Sequence, residues 1–144
     1  MFVEKMRVSS SFYLDPESGE YRLGDEYIAL DECPGKTKLM ILIDFYDVDP
    51  DKKNSFNVML FDPDHQVHGG WTDQSISVEK GQNSVTVMIA QEGLVLQKMG
   101  RYRFVVIEGE LKQGYGEYEP LYMKDIMVTT PEQIQQHHHA HKCC

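Results

Sequence analysis

Four apolar runs, each ended by turn-forming residues, constrain the fold of this chain more than any other feature of its sequence. They are rich in Val, Ile, Phe and Tyr and comprise Leu39–Tyr46, Phe56–Phe61, Val85–Ala90 and Tyr102–Ile107. Helices usually need ten or more residues, whereas short runs of this composition are typical of β-strands. The sequence therefore predicts an all-β protein.

Weaker strand-like segments lie between these runs, and turns such as Asp15–Gly19 and the pair Gly69-Gly70 separate them. Eight to ten short strands with turns about every 8 to 12 residues are typical of a sandwich or barrel. We therefore predict a single antiparallel β-sandwich over residues 1–129. A His- and Cys-rich tail over residues 130–144 follows it, either as a short helix or as an irregular segment.

The alternation of apolar residues along the four runs predicts which side chains face the core. These are Leu39, Ile41, Ile43, Phe56, Val58, Leu60, Val85, Val87, Ile89, Tyr102, Phe104 and Val106. Met40, Leu42, Met59 and Phe61 fall on the opposite faces. If these four are exposed, they form an apolar patch that predicts a homodimer. Burial in a second layer of the same chain is the alternative.

The turn within Phe61–His65 reads FDPDH, and the strand Gly100–Val106 reads GRYRFVV. These two motifs resemble those of bacterial jelly-roll or immunoglobulin-like sandwich domains of uncharacterised function. In those families a DP(D/N)G turn follows a central strand, and a GxYxFxV strand lies near the C-terminus. The resemblance implies a sandwich of one of these two types and transfers no functional residue.

The net charge and the composition indicate which classes of partner and which cellular location to expect. The net charge is −9, whereas nucleic-acid binding relies on clustered Lys and Arg, so we expect no nucleic-acid partner. No stretch approaches the roughly 18 apolar residues of a membrane span, and no secretory signal opens the chain. Three cysteines make no disulfide framework. We expect a cytoplasmic protein with no membrane partner.

An acidic segment gives the clearest indication of a binding surface. Seven carboxylates lie between Asp15 and Glu32, against the single base Arg22. We predict that this face binds a protein partner, because opposite charges steer and orient association. The candidate residues are Glu17, Glu20, Glu26 and Glu32. A solvated face that only keeps the protein soluble is the alternative interpretation.

Aromatic residues supply a second candidate partner-binding surface. Trp71 follows a glycine pair, and Tyr115 and Tyr118 lie in the ring-rich segment Gly114–Tyr122. Loops on rigid β scaffolds often carry binding residues, and tyrosine and tryptophan are common in such surfaces. The alternative is that these rings cap sheet edges.

The tail holds the only dense set of transition-metal ligands in the sequence. Thr130-Pro131 is typical of a helix start, and a continuing helix would align His137, His141 and Cys144 on one stripe. Imidazole and thiolate bind Zn²⁺ or Ni²⁺, so the sequence predicts a metal site there. A frayed tail without bound metal is the alternative.

Other chemistry has weaker support. Asp47, Asp49 and Asp51 have calcium-ligand spacing, with Asp44 before them and Asp62 and Asp64 beyond the next strand. Lys52 and Lys53 follow, however, without the Gly and the closing Glu of an EF-hand, so turn formation is the preferred interpretation. No nucleophile elbow or phosphate-binding glycine loop occurs. The sequence therefore predicts a non-enzymatic binding or accessory module that engages a protein partner. The alternative is a transition-metal-binding protein that uses the tail.

Overall fold

The chain is all-β, as the sequence predicts. The computed structural model describes residues 1–109 and 119–131, and no α-helical segment is found in that part of the chain beyond the single residue Pro131. The strands are β1 (Phe2–Ser9), β2 (Phe12–Leu14), β3 (Tyr21–Leu23), β4 (Tyr27–Ala29), β5 (Gly35–Tyr46), β6 (Asn54–Phe61), β7 (Val67–Ile76), β8 (Val85–Leu96), β9 (Gly100–Glu108) and β10 (Pro120–Thr129). Residues 132–144 of the predicted tail lie outside the described residues.

These strands form three sheets. One sheet has the order β1-β5-β8, the second has the order β4-β10-β9-β6-β7, and β2 pairs with β3 in a small third sheet. Every pair is antiparallel except β4–β10, in which Met127 lies opposite Tyr27 in a parallel register. The prediction of a wholly antiparallel arrangement is therefore wrong at this one pair. A parallel pair needs a long connection, and here most of the chain supplies it.

The two larger sheets share one core. Phe45 of β5 and Phe56 of β6 meet there with their ring centroids 4.8 Å apart. All the predicted core residues are buried except Val85 and Val87, which are half-buried and pack against the same cluster. The exception has a simple cause, because both residues belong to β8, which lies at the edge of its sheet.

The predicted turn at Gly69-Gly70 is wrong, because both glycines lie within β7. The chain turns earlier, where the Asp62 amide donates to the Gln66 carbonyl at 2.8 Å. Gly70 is needed for close packing instead, since a Cβ there would lie 2.4 Å from the Val58 carbonyl oxygen. Glycine thus marks a close backbone approach here rather than a reversal.

Strand β8 extends beyond the predicted run Val85–Ala90 and continues through Gly93. Thr37 lies opposite Leu94 and Leu39 opposite Gln91, so β8 has one more residue than β5 over this stretch. Gly93 has a φ of 64°, which accommodates the extra residue as a bulge. The strand therefore continues to Leu96 as a twelve-residue edge.

The exposed patch on which the homodimer was predicted does not exist. Met40, Leu42 and Met59 are buried, and Phe61 is half-buried. Met59 and Phe61 pack with Val105 in a small second cluster, distinct from the shared core. Burial within the chain is therefore the correct interpretation of these residues, and a homodimer would need another surface.

Candidate functional site

The acidic segment is organised by a hairpin formed by β2 and β3. In the described part of the chain, these two strands pair only with each other and form a sheet separate from the two larger ones. At its tip, the Asp15 amide donates to the Glu20 carbonyl and the Gly19 amide donates to the Asp15 carbonyl, both at 2.8 Å. Gly19 has a φ of 71°, which a glycine adopts without strain. The carboxylates of the tip are thus held on a defined turn.

One tip carboxylate has a structural role. A carboxylate oxygen of Asp15 accepts the Glu17 amide at 3.0 Å, and the other lies 3.5 Å from the Arg22 guanidinium. The bond from the Glu17 amide, assisted by Arg22, lowers the pKa of Asp15. Glu17 and Glu20 are exposed and form no ion pair within residues 1–109 and 119–131. Their charge is available to a partner.

Large apolar side chains are exposed on the same hairpin. Tyr13 is 63% exposed, Leu14 53% and Tyr21 40%. Leu14 lies directly opposite Tyr21, so these two share one face. Phe12 fixes the base of the hairpin, because the Lys38 ammonium of β5 lies 4.5 Å from its ring centroid.

We call the exposed set the hairpin surface. It consists of Leu14, Glu17, Glu20 and Tyr21; Tyr13 alternates with Leu14 along β2 and lies on the opposite face. Acidic and apolar groups lie side by side on it, which the composition of the acidic segment alone does not show.

The other two predicted carboxylates lie elsewhere. A Glu26 carboxylate oxygen accepts a hydrogen bond of 2.5 Å from the Lys124 ammonium, which also donates to the Met6 carbonyl at 2.8 Å. Glu26 therefore belongs to a contact that connects β10 to β1. Glu32 is exposed in the turn before β5 and has no ion pair with any described residue. The structure thus brings together only Glu17 and Glu20 of the predicted four.

The Trp71 side chain packs against other residues of the domain. Its indole stacks on Phe104 with ring centroids 6.2 Å apart, and its N–H donates to the Gln91 side chain at 3.2 Å. The ring is half-buried at the margin of the core. Tyr115 and Tyr118 lie outside the described residues. Partner binding through these three aromatic residues stays a prediction.

The predicted metal ligands are not among the described residues. His137, His141 and Cys144 all lie beyond residue 131, so a Zn²⁺ or Ni²⁺ site in the tail stays a prediction. Within residues 1–109 and 119–131, no group of three His, Cys, Asp or Glu side chains could hold a metal ion.

The aspartates considered for calcium have local structural roles. Asp49 accepts the Asp51 amide at 2.9 Å, and Asp47 has a φ of 56° where the chain leaves β5. Such side-chain bonds to the backbone two residues on are a common reason for aspartate in turns. The Asp49 carboxylate therefore has a turn-forming role.

A charge network closes the turn between β6 and β7. One Asp62 carboxylate oxygen accepts the Asp64 and Gln66 amides at 2.8 and 3.0 Å. The Lys98 ammonium binds Asp62 at 3.1 Å and Asp64 at 2.6 Å. The Gln66 amide, together with Lys98, lowers the pKa of Asp62, and the two carboxylates raise the pKa of Lys98.

We expect Asp62→Asn to weaken the pH dependence of stability. A depressed folded pKa means that the Asp62 carboxylate stabilises the fold above its unfolded pKa of about 3.8 and loses this contribution as pH falls through the folded value. Wild type should therefore be more stable than Asp62→Asn at about pH 7, and the difference should shrink towards about pH 2. Urea unfolding at both pH values measures this. A difference that does not change with pH would contradict the assigned role.

A shallow groove lies on β6, β9 and β10, and sequence reasoning missed it. Apolar side chains and one arginine line a volume of about 290 Å³: Phe61, Val105, Ile107, Pro120, Met123 and Arg103, with His65 at its margin. Arg103 donates to Asp125 at 2.8 and 3.3 Å, which raises the pKa of Arg103 and lowers that of Asp125. The groove is therefore lined mainly by apolar side chains, and the Arg103 guanidinium is already paired with Asp125. Only the assembled sheet brings these three strands together.

Comparisons with protein-family models, with curated proteins and with solved structures gave no match. In the described part of the chain, no helix has the length and apolar character needed to cross a membrane.

Proposed function

We propose that the protein is a non-enzymatic binding module that engages a protein partner through the hairpin surface. The observation that carries this proposal is the exposure of Leu14 and Tyr21 on one face, beside the carboxylates of Glu17 and Glu20, which form no ion pair with any described residue. The remaining strands serve as the scaffold, which we propose is a β-sandwich of jelly-roll or immunoglobulin-like type. The lack of a recognisable catalytic set in the sequence agrees with a binding role.

The chemistry of the hairpin surface indicates the kind of partner. Aromatic residues are enriched at protein interfaces, where they bury large areas with little loss of conformational freedom. Exposed carboxylates at the tip favour a basic partner surface and accelerate the encounter. We therefore propose a partner with an apolar hollow bordered by Lys or Arg. Burial of Leu14 and Tyr21 supplies affinity, while Glu17 and Glu20 supply orientation.

A capture experiment with two pairs of variants tests this function. Immobilised wild type is compared with Glu17→Gln plus Glu20→Gln, and with Leu14→Ser plus Tyr21→Ser, using native lysate and quantitative mass spectrometry. We expect the Leu14→Ser plus Tyr21→Ser variant to capture at least about tenfold less of the specific partner than wild type does. A tenfold drop in affinity corresponds to roughly 1.4 kcal/mol of binding free energy. The Glu17→Gln plus Glu20→Gln variant should show a smaller drop in captured partner at physiological salt. At high salt it should capture almost as much as wild type, because salt screens exposed charges.

Matched controls separate the hairpin surface from net charge and general apolarity. Glu79→Gln plus Glu92→Gln removes the same charge from exposed positions elsewhere, and Met127→Ser removes an exposed apolar side chain from β10. Both controls should capture the partner as wild type does. Equal capture by the hairpin variants and wild type would refute the proposal, as would equal loss in the controls.

Two further proposals depend on the sequence alone. The alternative function is transition-metal binding by His137, His141 and Cys144, which is supported by their spacing. A cytoplasmic location is supported by the sparse cysteines, of which Cys33 is a free thiol. Neither proposal is needed for partner binding through the hairpin surface.

A further inference from the structure

Strand β8 presents a long sheet edge. It pairs with β5 on one side, and no described strand pairs with its other side. An edge strand carries outward N–H and C=O groups that can pair with another chain, so soluble proteins usually block long edges. The four edges of the two larger sheets can therefore be compared for how each is protected.

Strands β1 and β4 are protected by contacts across their edges. The Lys124 ammonium donates to the Met6 carbonyl of β1 at 2.8 Å. Strand β4 has only three residues, and the Ser10 amide donates to its Tyr27 carbonyl at 3.3 Å. Neither strand offers an uninterrupted row of unpaired groups.

Strand β7 is protected by irregular backbone. Its register with β6 shifts at two places, and Asp73 has a φ of 54°. The Gln74 side chain also donates to the Thr72 carbonyl at 2.9 Å. Bulges of this kind bend an edge away from a regular ladder, which prevents pairing with another strand.

Strand β8 is protected over its C-terminal half only. There the His68 ring bonds to the Val95 carbonyl at 2.8 Å, Trp71 bonds to the Gln91 side chain, and Gly93 forms a bulge. No comparable contact involves the outer edge of Val85–Ala90 in the described part of the chain. This free half-edge reads VTVMIA and contains no charged residue and no proline. Met88 at its centre is 46% exposed.

We propose that two copies of this chain pair antiparallel through the free half-edge of β8. A two-fold axis near Met88 places Thr86 of one copy opposite Ala90 of the other, and Val87 opposite Ile89. In this register the core-facing residues of one copy lie opposite the core-facing residues of the other. The alternation of side chains along a strand requires such a match. The two three-stranded sheets then form one six-stranded sheet.

A second copy fits this edge better than an unrelated strand for two reasons. Each molecule carries a net charge of −9, so self-association is favoured only where charge is absent, and Val85–Ala90 is uncharged. A two-fold pairing also uses the same edge of both copies, so the assembly closes and leaves no free edge to propagate. The hairpin surface takes no part in this contact.

Sedimentation equilibrium of variants that place charge on the edge tests the proposal. Met88→Lys plus Ala90→Lys brings four ammonium groups together across the axis, and both positions are exposed, so the monomer should still fold. We expect wild type to be dimeric at tens of micromolar and the variant to be monomeric, with at least about a tenfold rise in the dissociation constant. Val95→Lys is the control, because this exposed residue lies beyond the free half-edge, and it should dimerise as wild type does.

Disulfide crosslinking locates the axis independently. In a variant with Cys33, Cys143 and Cys144 replaced by Ser, Met88→Cys should form a dimer on mild oxidation, because opposed residues of an antiparallel pair have Cα atoms about 4.5 to 5.5 Å apart. Val95→Cys should not. A wild type that stays monomeric at about 100 µM would overturn the proposal. The proposal would also be overturned if the Met88→Lys plus Ala90→Lys variant were still dimeric and had the melting temperature of wild type.

Discussion

Replacing Phe45 with Ala is expected to lower the free energy of unfolding by about 3 to 5 kcal/mol. Phe45 is almost completely buried, and its ring meets Phe56 across the core shared by the two larger sheets. Truncation removes buried apolar area and leaves a cavity that rigid sheets cannot easily close. Because domains of this size are stable by only about 5 to 15 kcal/mol, much of the total stability is lost. Urea unfolding at constant pH measures the effect.

Met123→Ala is the matched control for Phe45→Ala. Met123 is an exposed apolar residue, so its truncation should change stability by less than about 0.5 kcal/mol. If Phe45→Ala costs less than about 1 kcal/mol, the two sheets do not share a tightly packed core.

The second large effect is expected at Asn57, a fully buried polar residue in β6. Its side-chain amide donates to the Gly109 carbonyl at 2.5 Å, and its oxygen accepts the Asp73 amide at 2.8 Å. Asn57→Leu keeps a similar volume but leaves both backbone groups without their partner. A buried unsatisfied group costs about 1 to 3 kcal/mol. Because Gly109 is half-buried and Asp73 is exposed, water reaches the two groups in part, and we expect a total loss of about 1 to 3 kcal/mol in urea unfolding.

Two further substitutions separate hydrogen bonding from packing at this position. Asn83→Leu makes the same chemical change at an exposed site and should be nearly neutral. Asn57→Asp keeps an acceptor for the Asp73 amide but places a carboxylate against the Gly109 carbonyl. Its stability should therefore improve relative to wild type as the pH falls and the acid becomes neutral. An Asn57→Leu protein as stable as wild type would refute the bonding role.

The strands and the core could be predicted because they depend on local pattern. Alternation within Phe56–Phe61 determines which side chains face inward whatever the partner strand. The roles of Asn57 and Gly70 could not be predicted in this way. Both depend on the pairing of β6 with β7, where shifts in register bring backbone groups close to particular side chains. Sequence alternation carries no record of such shifts.

The candidate site was predictable in part for the same reason. The excess of carboxylates is evident from composition. The sequence does not show, however, that Glu26 lies at a different place in the fold from Glu17. Glu26 pairs with Lys124, a residue 98 positions further along the chain, and only the assembled sheets bring the two together. The exposure of Leu14 and Tyr21 is likewise a tertiary property, because short apolar strands are equally consistent with burial.

Site-specific photo-crosslinking tests partner binding by the hairpin surface most directly. A benzophenone amino acid is placed at Tyr21, and in a second protein at Met127, an exposed residue of β10. Both proteins are incubated with native lysate, irradiated and analysed by mass spectrometry. We expect one dominant crosslinked protein from position 21, lost when Leu14→Ser is added, and no corresponding product from position 127. The same product from position 127, or none from position 21, would contradict binding through the hairpin.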